Sequence, residues 1–454
     1  PGPVAVMGFG GALQAGIDPG DLVVATEVRG PDGAVPLPSA GLVAATLRRA
    51  GLTVHAGPIV SADHLVKGDE RSRLAATGAL AVEMESAWLI QGMEGRPVAV
   101  VRSVVDTPEA GLASPATLAA GIRAYRSLSR AAAVLHTWAE ATVPEGGTRN
   151  VVLAGPRSFC AGVERAIEIV ERAIERFGRP VYVRRQIVHN IHVVRDLESR
   201  GAIFVEELSE VPDGATAVFS AHGVAPAVRR EAEAKGLHVV DATCPLVAKV
   251  HAETRRFSKK GYRIVLIGHH GHDEIEGTMG EAPGAIELVE RPEDVGRIAV
   301  KDPAKVAFLT QTTLATDEVA GVVDALRARF PEIRGPAADD ICYATQNRQE
   351  AVRALARSCD LLVVVGSPNS SNSNRLVEVA RRLGCPAHLV DDASELDPAW
   401  LAGANTVGVT AGASAPEAMV DGVVAALATL GPVRVSQCSV TTESVQFPLP
   451  TEVR

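Results

Sequence analysis

Long apolar runs are missing. Stretches such as 361-LLVVV-365 are far too short to cross a bilayer, which takes about 20 apolar residues in a row. Positive charge is not in excess either. The 45 Lys and Arg face 54 Asp and Glu, a net charge of −9, which argues against a bulk nucleic-acid partner. A small anionic ligand stays compatible, because it needs only a local pocket. Lysine is scarce, seven of the 45 basic residues, and this reads as genome composition, not mechanism. The six cysteines contain no C-x-x-C pair, which excludes a zinc ribbon or a thioredoxin motif. Six in 454 residues is also no disulfide framework. No basic-then-apolar leader opens the sequence, so the expected location is the cytoplasm.

What is present is an ordinary globular composition, 46% hydrophobic and 22% charged. The length suggests two to four domains at about 150 residues each. A seam of Pro, Gly, Thr and Asn at 143-VPEGGTRN-150 reads as a linker. It separates residues 1–142 from 151–430, and 431–454 is read as a C-terminal tail. Past the seam, eleven short β-branched runs alternate with amphipathic helical patterns. They are 151-VVLA-154, 181-VYVR-184, 202-AIFV-205, 216-TAVFS-220, 238-HVVDA-242, 263-RIVLIG-268, 286-IELV-289, 306-VAFLT-310, 361-LLVVVG-366, 387-AHLV-390 and 406-TVGVTAG-412. This is an α/β chain, with too many strands for one sheet, so several small lobes are expected. The first helix past the seam is predicted over about 161–177.

Polar clusters follow the strand-like runs, where ligands of such folds collect. Cys160, Cys244 and Cys342 each sit in such a turn, placed after a strand, while Cys359, Cys385 and Cys438 read as structural. Three converging thiolates would suit an iron–sulfur cluster, zinc with a fourth ligand, or no metal at all. His189, His222 and His272 share the inferred rim, with Ser370, Ser371, Asn372 and Ser414 as hydroxyl and amide donors suited to a phosphate. The blander reading of those Ser and Asn is helix capping. Glu274, two residues past His272, is a candidate proton donor if its pocket is apolar.

Taken together, 155-GPRSFCAGVERAIE-168, 188-VHN-190, 220-SAHG-223, 241-DATCP-245, 271-GHDEIEGTMGE-281, 310-TQTTL-314, 340-DICYATQNRQ-349, 366-GSPNSSNSNRL-376 and 411-AGASAPE-417 resemble the 4-hydroxy-3-methylbut-2-enyl diphosphate reductase family. The resemblance implies three pseudo-symmetric α/β lobes, at about 162–244, 245–338 and 339–430, with 151–161 joining the third. It implies a central [4Fe-4S] cluster on Cys160, Cys244 and Cys342. It assigns the diphosphate to His189, His222, Ser370, Ser371, Asn372 and Ser414, with His272 beside them. Glu274, Thr312 and His272 become the catalytic set, Glu274 relaying the proton to the allylic hydroxyl. The implied reaction is a two-electron reductive dehydroxylation giving isopentenyl and dimethylallyl diphosphate, with electrons from ferredoxin or flavodoxin.

The first 142 residues differ. The segments 4-VAVMGFGGALQAGIDPGDLVVATEV-28, 82-VEMES-86 and 98-VAVVRSVVDTPEA-110 look like pieces of a nucleoside phosphorylase. By that resemblance Met84 and Glu85 would hold a ribose and Asp106 would act on a purine. The family's first strands and early phosphate-binding loop are absent, so a catalytically incomplete, partial phosphorylase-like α/β domain is expected. Two other functions compete: a phosphorylase-like enzyme of a hopanoid-type pathway with the reductase as fused partner, and a non-enzymatic cluster-based redox sensor.

Overall fold

All eleven runs expected past the seam are strands. The computed structural model describes residues 2–93, 95–108, 117–143 and 147–454. Within the expected linker, 144–146 lie outside the described residues, as do the last two positions of the 98–110 motif. Two units emerge from backbone proximity. One is Pro1–Val152 with Asp392–Val407 and Asp421–Ser436; the other is Leu153–Asp391 with Gly408–Val420 and Gln437–Arg454. No helix among the described residues is long and apolar enough to cross a membrane.

The first unit is built on β1 (Val4–Ala12), β2 (Leu22–Gly30), β3 (Gly33–Pro36), β4 (Val54–Ser61), β5 (Ala81–Glu83) and β6 (Val98–Asp106). Their order is β3-β2-β4-β5-β1-β6, and β2 also pairs with β6, so the sheet closes on itself. Leu22 lies opposite Ser103 and Val24 opposite Val101 across that closing pair. Val6, Val23, Ile59, Val100 and Val104 fill the interior. β6 is buried along almost its whole length, which explains an apolar run without alternation.

The remaining strands are β7 (Arg149–Gly155), β8 (Val181–Arg184), β9 (Ala202–Val205), β10 (Thr216–Phe219), β11 (His238–Asp241), β12 (Arg263–Ile267), β13 (Ile286–Val289), β14 (Val306–Thr310), β15 (Leu361–Val365), β16 (Ala387–Val390), β17 (Thr406–Ala411) and β18 (Val433–Ser439). They form three sheets, ordered β11-β10-β8-β9, β13-β12-β14 and β16-β15-β17-β7-β18. The first two are parallel throughout. In β12 the two faces serve two cores: Ile264 and Leu266 pack on one side, Val265 and Ile267 on the other. A strand covered on both faces has no polar side, so its sequence is a continuous apolar run.

The helix Ala161–Phe177 runs where the sequence predicts it. Val163, Ala166, Val170 and Ala173 recur at helical spacing and pack on Val181, Val183 and Val218. Gly178, at φ 80, ends it. The expectation that Cys342 follows a strand needs correction. Its turn comes after the helix Thr316–Arg329 and one bridging residue, Arg334, paired with Ala307. Pro336, two residues on, has no N–H to extend the pairing.

Candidate active site

Cys160, Cys244 and Cys342 are free thiols. Each stands one residue ahead of a helix: Ala161–Phe177, Pro245–Lys259 and Tyr343–Ala356. Sulfur at such a position faces unpaired backbone N–H groups. Thr345 N donates to Cys342 Sγ at 3.3 Å, and the thiol reaches Thr345 Oγ1 at 3.1 Å. A Cβ on Gly162 would lie 2.8 Å from Cys244 Sγ and 3.8 Å from Cys160 Sγ. The missing side chain leaves room for both sulfurs. Burial pushes the Cys244 thiol up to about 12 and the Cys342 thiol up to about 11, with the Cys160 sulfur adding to both. Three thiolates crowded here are stable only against positive charge, and a metal centre supplies it. The donor set fits an iron–sulfur group or another thiophilic metal.

All three cysteines line one cavity of about 110 Å³, together with His189, His222, His272, Glu274, Thr312, Ser370, Ser371, Asn372 and Ser414. The twelve residues expected at the reductase site therefore share one wall-to-wall space. The turns that carry them sit past β7, β8, β10, β11, β12, β14, β15 and β17, apart from the Cys342 turn already described.

His189 and His222 stack with ring centroids 4.1 Å apart, and His272 meets both edge-on at 5.3 and 5.7 Å. Burial lowers the proton affinity of all three; His272 falls to about 4, with His189 contributing. Both ring nitrogens of His189, Nδ1 of His222 and Nδ2 of Asn372 are buried without a hydrogen-bond partner. Unpaired buried polar atoms are costly, and a cavity lined with them is built for a polar guest. Capping is also real. His272 Nδ1 accepts from Glu274 N at 3.2 Å and Ser370 Oγ from Ser373 N at 3.3 Å, whereas Ser414 Oγ caps no helix among the described residues and donates to His189 O at 3.0 Å.

Glu274 is only 2% exposed, so it is no loop carboxylate. Its Oε1 accepts from Thr312 N at 2.7 Å, and Oε2 lies 2.9 Å from Thr312 Oγ1. Burial raises its pKa to about 7, against the pull of those two bonds. A neutral carboxyl at physiological pH can give up a proton.

Several contributors escaped the sequence reading although they lie inside the quoted motifs. Thr313 and Thr345 line the cavity. Gln311 Nε2 donates to Thr313 Oγ1 at 2.9 Å and Ser371 Oγ at 3.3 Å, tying two turns. Asp273 stands 3.8 Å from His222 Nδ1 and is ion-paired to Arg185. The Asp273 position beside His272 was the only available signal.

Met84, Glu85 and Asp106 also come together, in a separate cavity of about 440 Å³ within the first unit. Met84 is exposed, and Asp106 is ion-paired to Arg71 at 2.5 Å. Beneath them the buried pair Arg102–Glu83, at 2.5 Å, carries Glu85 on Arg102 Nη1 at 3.3 Å.

A profile of the LytB protein family matches residues 151–428. The chain belongs to the LytB family. A LytB relative from Xanthomonas oryzae pv. oryzae (strain PXO99A), named 4-hydroxy-3-methylbut-2-enyl diphosphate reductase, is 60% identical over 309 residues, covering 67% of this chain and 98% of its own. The protein of the same name from Xanthomonas campestris pv. campestris (strain B100) is 60% identical over 310 residues, 67% and 98% of the two chains. Among solved structures, the E-1-hydroxy-2-methyl-but-2-enyl-4-diphosphate reductase of Plasmodium falciparum is similar at a TM-score of 0.65 and 39% identity, covering 67% of this chain and 97% of that one. A phosphorylase superfamily profile matches residues 3–139 ahead of the LytB part.

Proposed function

We propose that this LytB enzyme reduces 4-hydroxy-3-methylbut-2-enyl diphosphate to isopentenyl and dimethylallyl diphosphate in its 151–430 portion. The observation that carries the reading is the single cavity in which three thiols, three histidines and the Glu274–Thr312 pair meet. Cys160, Cys244 and Cys342 are the residues that would hold a [4Fe-4S] cluster. When bound, that group supplies electrons and, at the iron without a cysteine, Lewis acidity toward the substrate's alcohol oxygen.

The chain's own residues do the rest. His189, His222, Ser370, Ser371, Asn372 and Ser414 bind the diphosphate, with His272 closing the ring of imidazoles. Thr312 orients the allylic hydroxyl, and Glu274 delivers a proton along the 2.9 Å contact between the two side chains. The balance is one C–O bond broken, one C–H bond formed, two electrons and two protons consumed, and water released. Protonation at either end of the allylic frame gives the two products. A one-electron carrier such as ferredoxin or flavodoxin is the proposed donor, and the cytoplasm the proposed compartment.

The test is anaerobic. Reconstituted protein should contain iron and sulfide, show the EPR signal of a reduced cluster, and turn over the allylic diphosphate with a low-potential reductant. Iron-loaded protein with no such turnover would sink the reading.

The histidines add a second expectation. Burial keeps them neutral in the free pocket, and an incoming diphosphate favours their charged forms. Binding of inorganic diphosphate to the reconstituted protein should therefore take up protons. Calorimetry in two buffers of different ionisation enthalpy checks this, since equal heats would mean no uptake.

A further inference from the structure

Arg348 is fully buried on the helix that follows Cys342. A guanidinium has five N–H donors, and here all five are used. Nε and Nη2 donate to Ser158 O at 3.2 and 2.7 Å, and Nη2 also to Phe159 O at 3.2 Å. Nη1 donates to Ala344 O and to Glu443 Oε1, both at 3.0 Å. One side chain thus joins the turn ahead of Cys160, the helix after Cys342 and the segment near the chain's end. Ser158 needs such holding, for its φ of 59 lies in the left-handed region. Its hydroxyl is also pinned to Glu417 at 2.5 Å.

The third cysteine is tied to the same segment. Arg165, on the helix after Cys160, donates from Nε to Pro448 O at 2.8 Å and from Nη1 to Thr243 O at 3.1 Å. Thr243 immediately precedes Cys244. Val453, 3% exposed, and Leu449 pack into the core that includes Phe159 and Cys160. Asn347 adds a further bond to Glu443 at 3.0 Å.

We propose that residues 443–453 are a strap that holds the three cysteine-bearing segments in register, with Arg348–Glu443 and Arg165–Pro448 as its two latches. Glu443, Arg348 and Arg165 are positioning residues: none lines the sulfur cavity, and all act through the backbone that carries the thiols. The proposal rests on the three cysteines holding an iron–sulfur cluster. Its consequence is cluster retention, because partners that orient metal ligands typically change metal affinity about 10–100-fold when removed.

The experiment uses the full chain, reconstituted anaerobically. Glu443→Ala removes the oxygen that accepts from both Arg348 and Asn347; Arg165→Gln opens the other latch. Val170→Ala, deep in the core of the same first helix, is a control that lowers stability without touching a latch. Iron release to a chelator is timed at temperatures equally far below each variant's Tm, and the reduced EPR line shape is recorded. Both latch variants should release iron at least about tenfold faster than Val170→Ala, with an altered spectrum. Release no faster than the control, with an unchanged spectrum, overturns the strap. A parent chain that takes up no iron or sulfide overturns the cluster reading itself, and the strap with it.

Discussion

Glu274→Gln should keep its iron and lose turnover by about 10²–10⁴-fold, the range set by one positioned proton donor. The amide is nearly isosteric and can still accept from Thr312 N, which now bonds Oε1 at 2.7 Å. What it cannot do is ionise. Burial raises the Glu274 carboxyl to about 7, so the neutral, proton-bearing form prevails below that pH and is lost above it. Parent turnover should accordingly fall as pH rises past about 7, and Glu274→Gln should lack that limb. Steady-state rates across pH, with iron content as the control, decide the matter. A variant with normal rates, or an alkaline limb that survives the substitution, removes Glu274 from the proton path.

Cys244→Ser is expected to cost most of the bound iron. Serine puts a hard, weakly acidic oxygen where the site needs a soft thiolate, and only two sulfurs remain. Iron and sulfide per chain, with the brown absorbance of the reconstituted protein, are the measurements. Cys385→Ser is the natural comparison: Cys385 is buried beside the Cys359 carbonyl, at 3.5 Å, and does not line the sulfur cavity. Iron content that is the same in both variants would mean that the ligands are misassigned.

Much of this could be read from the residues, for physical reasons that differ along the chain. The runs 181-VYVR-184, 202-AIFV-205, 286-IELV-289 and 387-AHLV-390 coincide with β8, β9, β13 and β16 to the residue. Each is a short run that starts and ends on a buried residue and is bounded by turn formers, a readable strand signal. β18 shows the converse: at an end of its sheet and largely exposed, it has no buried face to write a pattern, and its segment was read as a tail. The site's residue types were legible because sulfur, imidazole and a carboxyl recur in turns after strands. Their convergence rested on the spacing of 160, 244 and 342 and on the family resemblance, since the three meet only once separate sheets are assembled. Arg348 and Glu443 were beyond reach for the same reason: 95 residues apart, they are unremarkable alone and matter only as a pair. Glu274 stands out as a candidate proton donor, but its burial is not legible, because nothing local reports that Thr312, 38 positions away, covers it.

The closed N-terminal sheet leaves few free strand edges of its own. A ring of strands offers neighbouring chains little unsatisfied backbone on which to add a further strand. What protrudes is β3, four exposed residues ending in Pro36, and proline has no amide hydrogen to lend to a ladder. Edge-to-edge pairing through this sheet is therefore disfavoured.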